Sequence, residues 1–313
     1  MIFAVIDLGT NTFNLLIAER FPNCTFKKIF NTKIAVKLGE GTINSGYIAD
    51  APFQRGINAL KQFQQYLLDY NVEHSYAFAT SAIRSASNGS EFVAQAKKVA
   101  GVSISIIDGN EEADLIYYGN RMAVKMNESI SLIMDIGGGS TEFILGNEHS
   151  ILWKQSFLLG AARLLEKFKL SDPITNNETI DFNNYLRSEL APLFEAVQHY
   201  KPTELIGSSG AFDSVVDVIA GEFNTEVLND YHTEYSVDLG HYHLISKKLK
   251  ESTIKERYHI AGLIDMRVDM IVISILLIDF ILKELNLKHM RVSTFSLKEG
   301  VISQKLKLSL LPI

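Results

Sequence analysis

The sequence predicts an α/β protein of two domains, each organised around a glycine-bearing β-hairpin. Three observations lead there. The chain has 313 residues, enough for about two domains. It is 47% hydrophobic and 21% charged, which leaves material for a core in each half. And one stretch occurs twice: Ser131–Asn147 reads SLIMDIGGGSTEFILGN and Phe3–Glu19 reads FAVIDLGTNTFNLLIAE. Each runs from an apolar strand through Asp, a second apolar residue and Gly into small polar residues, then into another apolar strand. The lag from Asp7 to Asp135 is too long for a solenoid repeat. It suits a duplicated domain, with the two hairpins facing each other across a cleft.

The residue types at these turns suit phosphate. In the second hairpin Gly137, Gly138 and Gly139 permit φ > 0 and let backbone N–H groups approach an anion without a Cβ in the way. Ser140 and Thr141 follow. Asp135 and Glu142 flank the turn as oxygen ligands for a hard divalent cation beside phosphate. The first hairpin offers Asp7, then Gly9 and the turn Thr10-Asn11-Thr12. One such hairpin alone is equally an ordinary β-turn; the pair, each with Asp before Gly, points to phosphate.

Bulk properties narrow the classes. A net charge of −6 argues against a general nucleic-acid surface. It leaves room for a polyphosphate ligand, held by backbone N–H groups, an arginine and a metal. The lone cysteine, Cys24, allows no intrachain disulfide and fits a cytoplasmic setting. Met1 leads straight into a strand, with no signal-peptide pattern. The most apolar stretch, Met270–Leu282, is too short for a clean membrane span and has charges around it, so it reads as a buried core helix.

Along the chain, strands at 2–7 and 12–19 make the first hairpin and 25–38 continues in β fashion. Asp50 reads as an N-cap, with Pro52 in the first turn. Ile57, Leu60, Phe63, Leu67 and Leu68 then share one helix face. A short strand, 76–79, runs into Ala79-Thr80-Ser81-Ala82-Ile83-Arg84. Arg84 is read either as a solvated loop residue or as a phosphate clamp, since guanidinium grips phosphate in a two-point fork. A helix over 88–100 and a strand over 102–107 follow. Asp108-Gly109-Asn110-Glu111-Glu112-Ala113 opens another helix. Acidic residues there satisfy the macrodipole, or one of them orients water at a phosphate; neighbours about 100° apart cannot both face one site.

In the second half, 151–158 is a strand and a helix runs through Phe168. A long helix spans 178–200, with Pro192 able to split it. Leu205–Gly210 is a strand feeding a turn in which Ser208 and Ser209 form a third candidate anion loop. Residues 221–238 read as irregular, since Tyr235 and Val237 are too few to make a strand. An apolar core helix lies within 256–285, and Met290–Ser293 closes the sheet. His241 and His243 show no metal-ligand spacing.

The segments IDLGTNTFNLLIAE, KLGEG, ATSAIR, IDGNEEADLIYYG, MDIGGGSTEFILG, LLGAARL, IGSSG and VSTFSLKEG together resemble the exopolyphosphatase and guanosine pentaphosphate phosphatase family, of the actin-like ATPase superfamily. The resemblance covers nearly the whole chain. It implies two ribonuclease-H-like domains, 1–126 and 127–313, separated by a cleft, with the last residues packing back on the first domain. It implies removal of terminal phosphate from inorganic polyphosphate or guanosine pentaphosphate. Glu112 then stands as the water-activating glutamate beside Glu111, and Arg84 as the phosphate-contacting arginine. Asp135 and Glu142 stand as magnesium ligands with Asp7 as a third, and the two turns as phosphate cradles. The chain departs from the family at Ala211, where a Thr is usual, and at Ser296-Leu297-Lys298, where Gly-Leu-Arg is usual. The sequence stops where longer members add C-terminal helical domains, so the expectation is short substrates or a homodimer. Two further readings share the site: a non-catalytic sensor of guanosine tetra- or pentaphosphate, and an ATP-dependent small-molecule kinase.

Overall fold

The computed structural model describes residues 1–21, 25–225 and 232–306. The first sheet contains β1 (Ile2–Leu8), β2 (Thr12–Arg20), β3 (Phe26–Ala35), β4 (His74–Ala79) and β5 (Ile104–Ile106). The order is β3-β2-β1-β4-β5: an antiparallel meander β1–β3, with β4 and β5 added parallel to β1. Helices α1 (Asp50–Asp69), α2 (Ser81–Ser85) and α3 (Gly89–Ala100) lie in the connections, and α4 (Gly109–Ala123) follows β5.

The second sheet repeats this plan. The strands β6 (Ser131–Ile136), β7 (Thr141–Gly146) and β8 (Ile151–Phe157) form the meander. Helices α5 (Ala161–Phe168), α6 (Asn176–Glu189) and α7 (Ala191–Tyr200) lead to β9 (Glu204–Ser208), parallel to β6. Then come α8 (Gly210–Phe223), β10 (Glu234–Val237), α9 (Leu239–Glu251), α10 (Ile254–Arg257), α11 (Ile271–Glu284), β11 (Met290–Ser293) and α12 (Leu297–Leu306). The order β10-β11-β9-β6-β7-β8 contains the same five-strand pattern plus one antiparallel edge strand. The fold is therefore the two-domain, two-sheet α/β arrangement that the resemblance implies.

Both faces of β1 are buried, as its near-continuous apolar run requires. Ala4, Ile6 and Leu8 pack with α1 and α3. Phe3 and Val5, on the other face, join Ile133, Ile144 and Ile206 of the second sheet in a core shared between the two halves. Helices α4 and α12 fill that shared core. Their backbones touch: a Cβ on Gly119 would lie 2.0 Å from the Ser296 carbonyl oxygen, and one on Gly300 1.8 Å from that of Leu115. The C-terminal helix is thereby laid across the helix that carries Glu112.

Several local expectations change. Asp50 is the first helical residue and Ala49 the cap, with no side-chain cap bond. Leu68 is 61% exposed, because the buried face of α1 ends at Leu67. Pro192 does divide 176–200 into α6 and α7. The apolar helix is only Ile271–Glu284; 256–270 holds the end of α10 and a 3₁₀ turn. The largest change is β10, where Tyr235 and Val237 do form a strand. Pairing with β11 supplies what the local pattern lacked: Tyr235 faces Val292. Cys24 lies outside the described residues, as does the middle of the 221–238 stretch. No helix among the described residues is long and apolar enough to cross a membrane.

Candidate active site

The two hairpin turns meet. Each is closed by the same bond: Gly9 N–H donates to the Thr12 carbonyl at 3.1 Å and Gly137 N–H to that of Ser140 at 3.0 Å. None of Gly9, Gly137, Gly138 and Gly139 has positive φ, so the expected left-handed backbone is not why they are glycine. Close approach is the reason. A Cβ on Gly138 would lie 2.4 Å from Asn11 Nδ2, and one on Gly139 2.7 Å from Thr10 Oγ1. Gly160 backs the same turn, its Cβ position being 2.4 Å from the Gly138 carbonyl. The N–H groups of Ala161 and Ala162 donate to the carbonyls of Gly137 and Gly138, and Arg163 Nε to that of Gly139. The carbonyls are thus tied back towards α5. Among the described residues no backbone bond takes up the N–H of Gly138 or Gly139.

Beside this seam is a cleft of about 510 Å³. Asp7, Thr10, Asn11, Thr12 and Glu112 line it from one side; Asp135, Gly137, Gly138, Gly139, Ser140 and Ser209 line it from the other. Four sequence-predicted residues stand behind the wall. Thr141 is buried and donates its hydroxyl to the Leu159 carbonyl. Ser208 donates to Asp135 Oδ2 at 2.6 Å. Glu142 accepts from Ser156 at 2.7 Å. Arg84 Nη1 donates to Glu112 Oε2 at 2.8 Å and to the Ile107 carbonyl at 3.0 Å, so its guanidinium braces the glutamate.

Glu112 owes its position to the start of α4. Asp108 caps that helix, accepting from the N–H groups of Asn110 and Glu111. Glu112, in the same first turn, points into the protein while Glu111 is exposed. Burial, then repulsion by Glu142, hold the Glu112 carboxyl well above its usual range, against the pull of Arg84. Burial raises Asp7 to about 6, helped by Asp135 and opposed by Lys298 and Asn14. Burial and the charge of Asp135 raise Glu142 to about 7. Ser209 holds φ 68° and ψ 178°, a backbone region nearly confined to glycine, and its hydroxyl donates to the Ile136 carbonyl at 3.2 Å.

A divalent cation fits this chemistry. The donors are all oxygen, and burial, with some mutual repulsion, makes the Asp7, Glu112 and Glu142 carboxyls hold their protons to higher pH than usual, a penalty a hard cation would relieve. The fit is not three-fold: no three of Asp7, Glu112, Asp135 and Glu142 bring ligand atoms within 4.8 Å of one another. One or two carboxylates, completed by water and substrate phosphate, match the way Mg²⁺ is usually held. The single cluster of that compactness among the described residues, Glu128, Glu148 and His149, is elsewhere and largely exposed.

Cations that the sequence did not single out also line the cleft. Lys28 and Lys33 come from β3, Arg267 from the 3₁₀ turn before α11, and Lys298 from α12. Burial alone would depress the Lys298 amine; Glu299, Asp7, Asp213 and Asp135 outweigh it and raise its pKa. Ser296 joins Ser208 on Asp135, donating to the same Oδ2 at 2.6 Å. The only sequence signal for Ser296 and Lys298 was their place in the VSTFSLKEG stretch, as departures from the family pattern.

The Ppx/GppA phosphatase family profile matches residues 16–309. The chain belongs to that family. A Cytophaga hutchinsonii exopolyphosphatase crystal structure is 40% identical, with a TM-score of 0.95 over 99% of each chain. The Ppx/GppA family member of Aquifex aeolicus superposes with a TM-score of 0.79 at 26% identity, over 98% of each chain. A Haemophilus influenzae protein provisionally named an exopolyphosphatase is 30% identical over 96% of this chain and 90% of its own length. Within this Ppx/GppA chain the turns of both halves, Glu112, Asp7 and Asp135 line one cleft, with Arg84 and Glu142 behind its wall.

Proposed function

We propose that this Ppx/GppA protein hydrolyses a terminal phosphoanhydride, taking inorganic polyphosphate or guanosine pentaphosphate, with water aligned by Glu112. The observation that carries the reading is a buried glutamate at the wall of a cleft that is also lined by glycines, hydroxyls, cations and the carboxylates of Asp7 and Asp135. Phosphoryl transfer asks a protein mainly for positioning and charge neutralisation. The N–H groups of Gly138 and Gly139 and the turn 10–12 bind and orient the phosphate chain. Lys28, Lys33, Arg267 and Lys298 offset its charge. Glu112, with a carboxyl more basic than usual, accepts the water proton once ionised, and Arg84 fixes its orientation. Asp135, with Asp7 or Glu142, would hold Mg²⁺. When bound, that ion supplies neutralisation of the developing phosphate charge.

The name of the C. hutchinsonii relative and the four cations that line the cleft favour polyphosphate over a nucleotide. Among the described lining residues none is aromatic, so a guanine base has no ring to stack on. The test is phosphate release from tripolyphosphate, guanosine pentaphosphate and ATP, with and without Mg²⁺. Release from tripolyphosphate supports the reading. Release from none, together with tight guanosine nucleotide binding, replaces it with a sensor. Transfer from ATP to an added hydroxyl compound replaces it with a kinase.

A further inference from the structure

Five buried side-chain atoms have no hydrogen-bond partner among the described residues: Thr42 Oγ1, Ser81 Oγ, Asn120 Oδ1, Arg163 Nη2 and Arg257 Nε. Only Ser81 belongs to a residue that lines the cleft. A buried hydroxyl left unpaired is costly in a folded chain, and such groups call for a specific explanation. Ser81 is 2% exposed. Its surroundings are those of an anion site. The Cβ position of Gly139 lies 2.6 Å from Ser81 Oγ and 2.7 Å from Thr10 Oγ1, so the two hydroxyls flank one glycine of the second turn. The N–H of that glycine makes no backbone bond.

We propose that Ser81 is a phosphate-binding residue: its hydroxyl donates to an oxygen of the terminal phosphate, completing a subsite with Thr10 and the Gly139 N–H. Ser81 opens α2 and Arg84 lies in the same short helix. Through Arg84, that helix also holds Glu112 at 2.8 Å. One rigid element thus fixes both the phosphate donor and the brace of the glutamate that aims water. The chemistry needed at this position is a compact donor with no positive charge, which a serine supplies without repelling Arg84.

The assignment of the phosphate as a substrate's terminal group rests on the hydrolase reading; the subsite itself does not. Calorimetric titration with inorganic phosphate and with orthovanadate, in Mg²⁺, separates the two. Wild type is compared with Ser81→Ala and with the near-isosteric Ser81→Cys. Loss of one donor to a charged acceptor predicts binding of both ions about 10- to 100-fold weaker in Ser81→Ala, with Ser81→Cys between it and wild type. The Ser81→Ala melting temperature should be unchanged or higher, because an unpaired buried hydroxyl is removed. On tripolyphosphate the same variant should lose kcat/KM by a similar factor. Equal ion binding by wild type and both variants overturns the proposal, as does wild type binding neither ion. If wild type releases no phosphate from any substrate while Ser81→Ala still weakens ion binding, the subsite stands and the hydrolase reading falls.

Discussion

The two hairpins share a backbone plan and differ in charge. In the first, Asp7 faces Asn14 across the ladder and accepts from its Nδ2 at 3.0 Å. In the second, Asp135 faces Glu142, and the neighbouring parallel strand brings Ser208 beside it. One copy therefore pairs its aspartate with a neutral amide and the other with a second carboxylate. The consequence is visible in Glu142, held at about 7 by burial and by Asp135. A duplicated fold gives two turns of the same plan at one cleft. Their divergence sets two carboxylates opposite each other in the second hairpin, Asp135 and Glu142, and a carboxylate opposite an amide in the first, Asp7 and Asn14.

That contrast can be broken in steps. The largest effect is expected at Glu112, which belongs to neither hairpin and serves both. Glu112→Gln should fold, bind tripolyphosphate as wild type does, and release phosphate at least about 100-fold more slowly. Single-turnover kinetics with calorimetric binding checks this. Next is Glu142→Gln, which makes the second hairpin resemble the first. It should weaken the Mg²⁺ dependence of the rate by about 10- to 100-fold, whereas Asn14→Ala should change it little. Gly139→Ala should destabilise by about 1–3 kcal/mol, since its methyl has nowhere to go but into Ser81 and Thr10; denaturant unfolding reads it.

Smaller shifts follow from titration. Arg84 lowers the pKa of Glu112, so Arg84→Ala should move the acid limb of the pH–rate profile to higher pH as well as slowing the reaction. For stability the sign runs against the usual carboxylate. The Asp7 and Glu142 carboxyls are raised, from 3.8 to about 6 and from 4.5 to about 7, so between those values the folded chain holds protons that the unfolded chain has released. Stability therefore falls as pH rises through that window. Thermal melting without metal should show a lower midpoint at about pH 7.5 than at about pH 5, and Mg²⁺ should restore it chiefly at the higher pH.

The parts of this site that were legible in the sequence are those on continuous motifs. Asp7, Asp135 and the glycines announce themselves because strand, turn and carboxylate sit within a few residues of each other. The first helical turn left Glu111 and Glu112 undecided and only the family resemblance singled out Glu112; three dimensions decide that it points inward and Glu111 outward. Lys28 and Lys33 on β3 look like solvated edge-strand charges, since nothing local says that the edge borders a cleft. Arg267 and Lys298 arrive from distant segments. Arg267 packs against Gly210 at the start of α8, and the place of Lys298 depends on α12 crossing α4 through Gly119 and Gly300; neither contact has a local pattern. Strand β10 was missed for a related reason: its stability comes from β11, not from its own four residues.

The most direct test of the central claim is phosphate release from tripolyphosphate in Mg²⁺, measured for wild type and Glu112→Gln side by side. A wild type that releases terminal phosphate, and a variant that binds the same substrate but turns over about 100-fold more slowly, is the predicted result. Equal turnover by the two proteins would contradict it, and would remove the buried glutamate from the chemistry of the cleft.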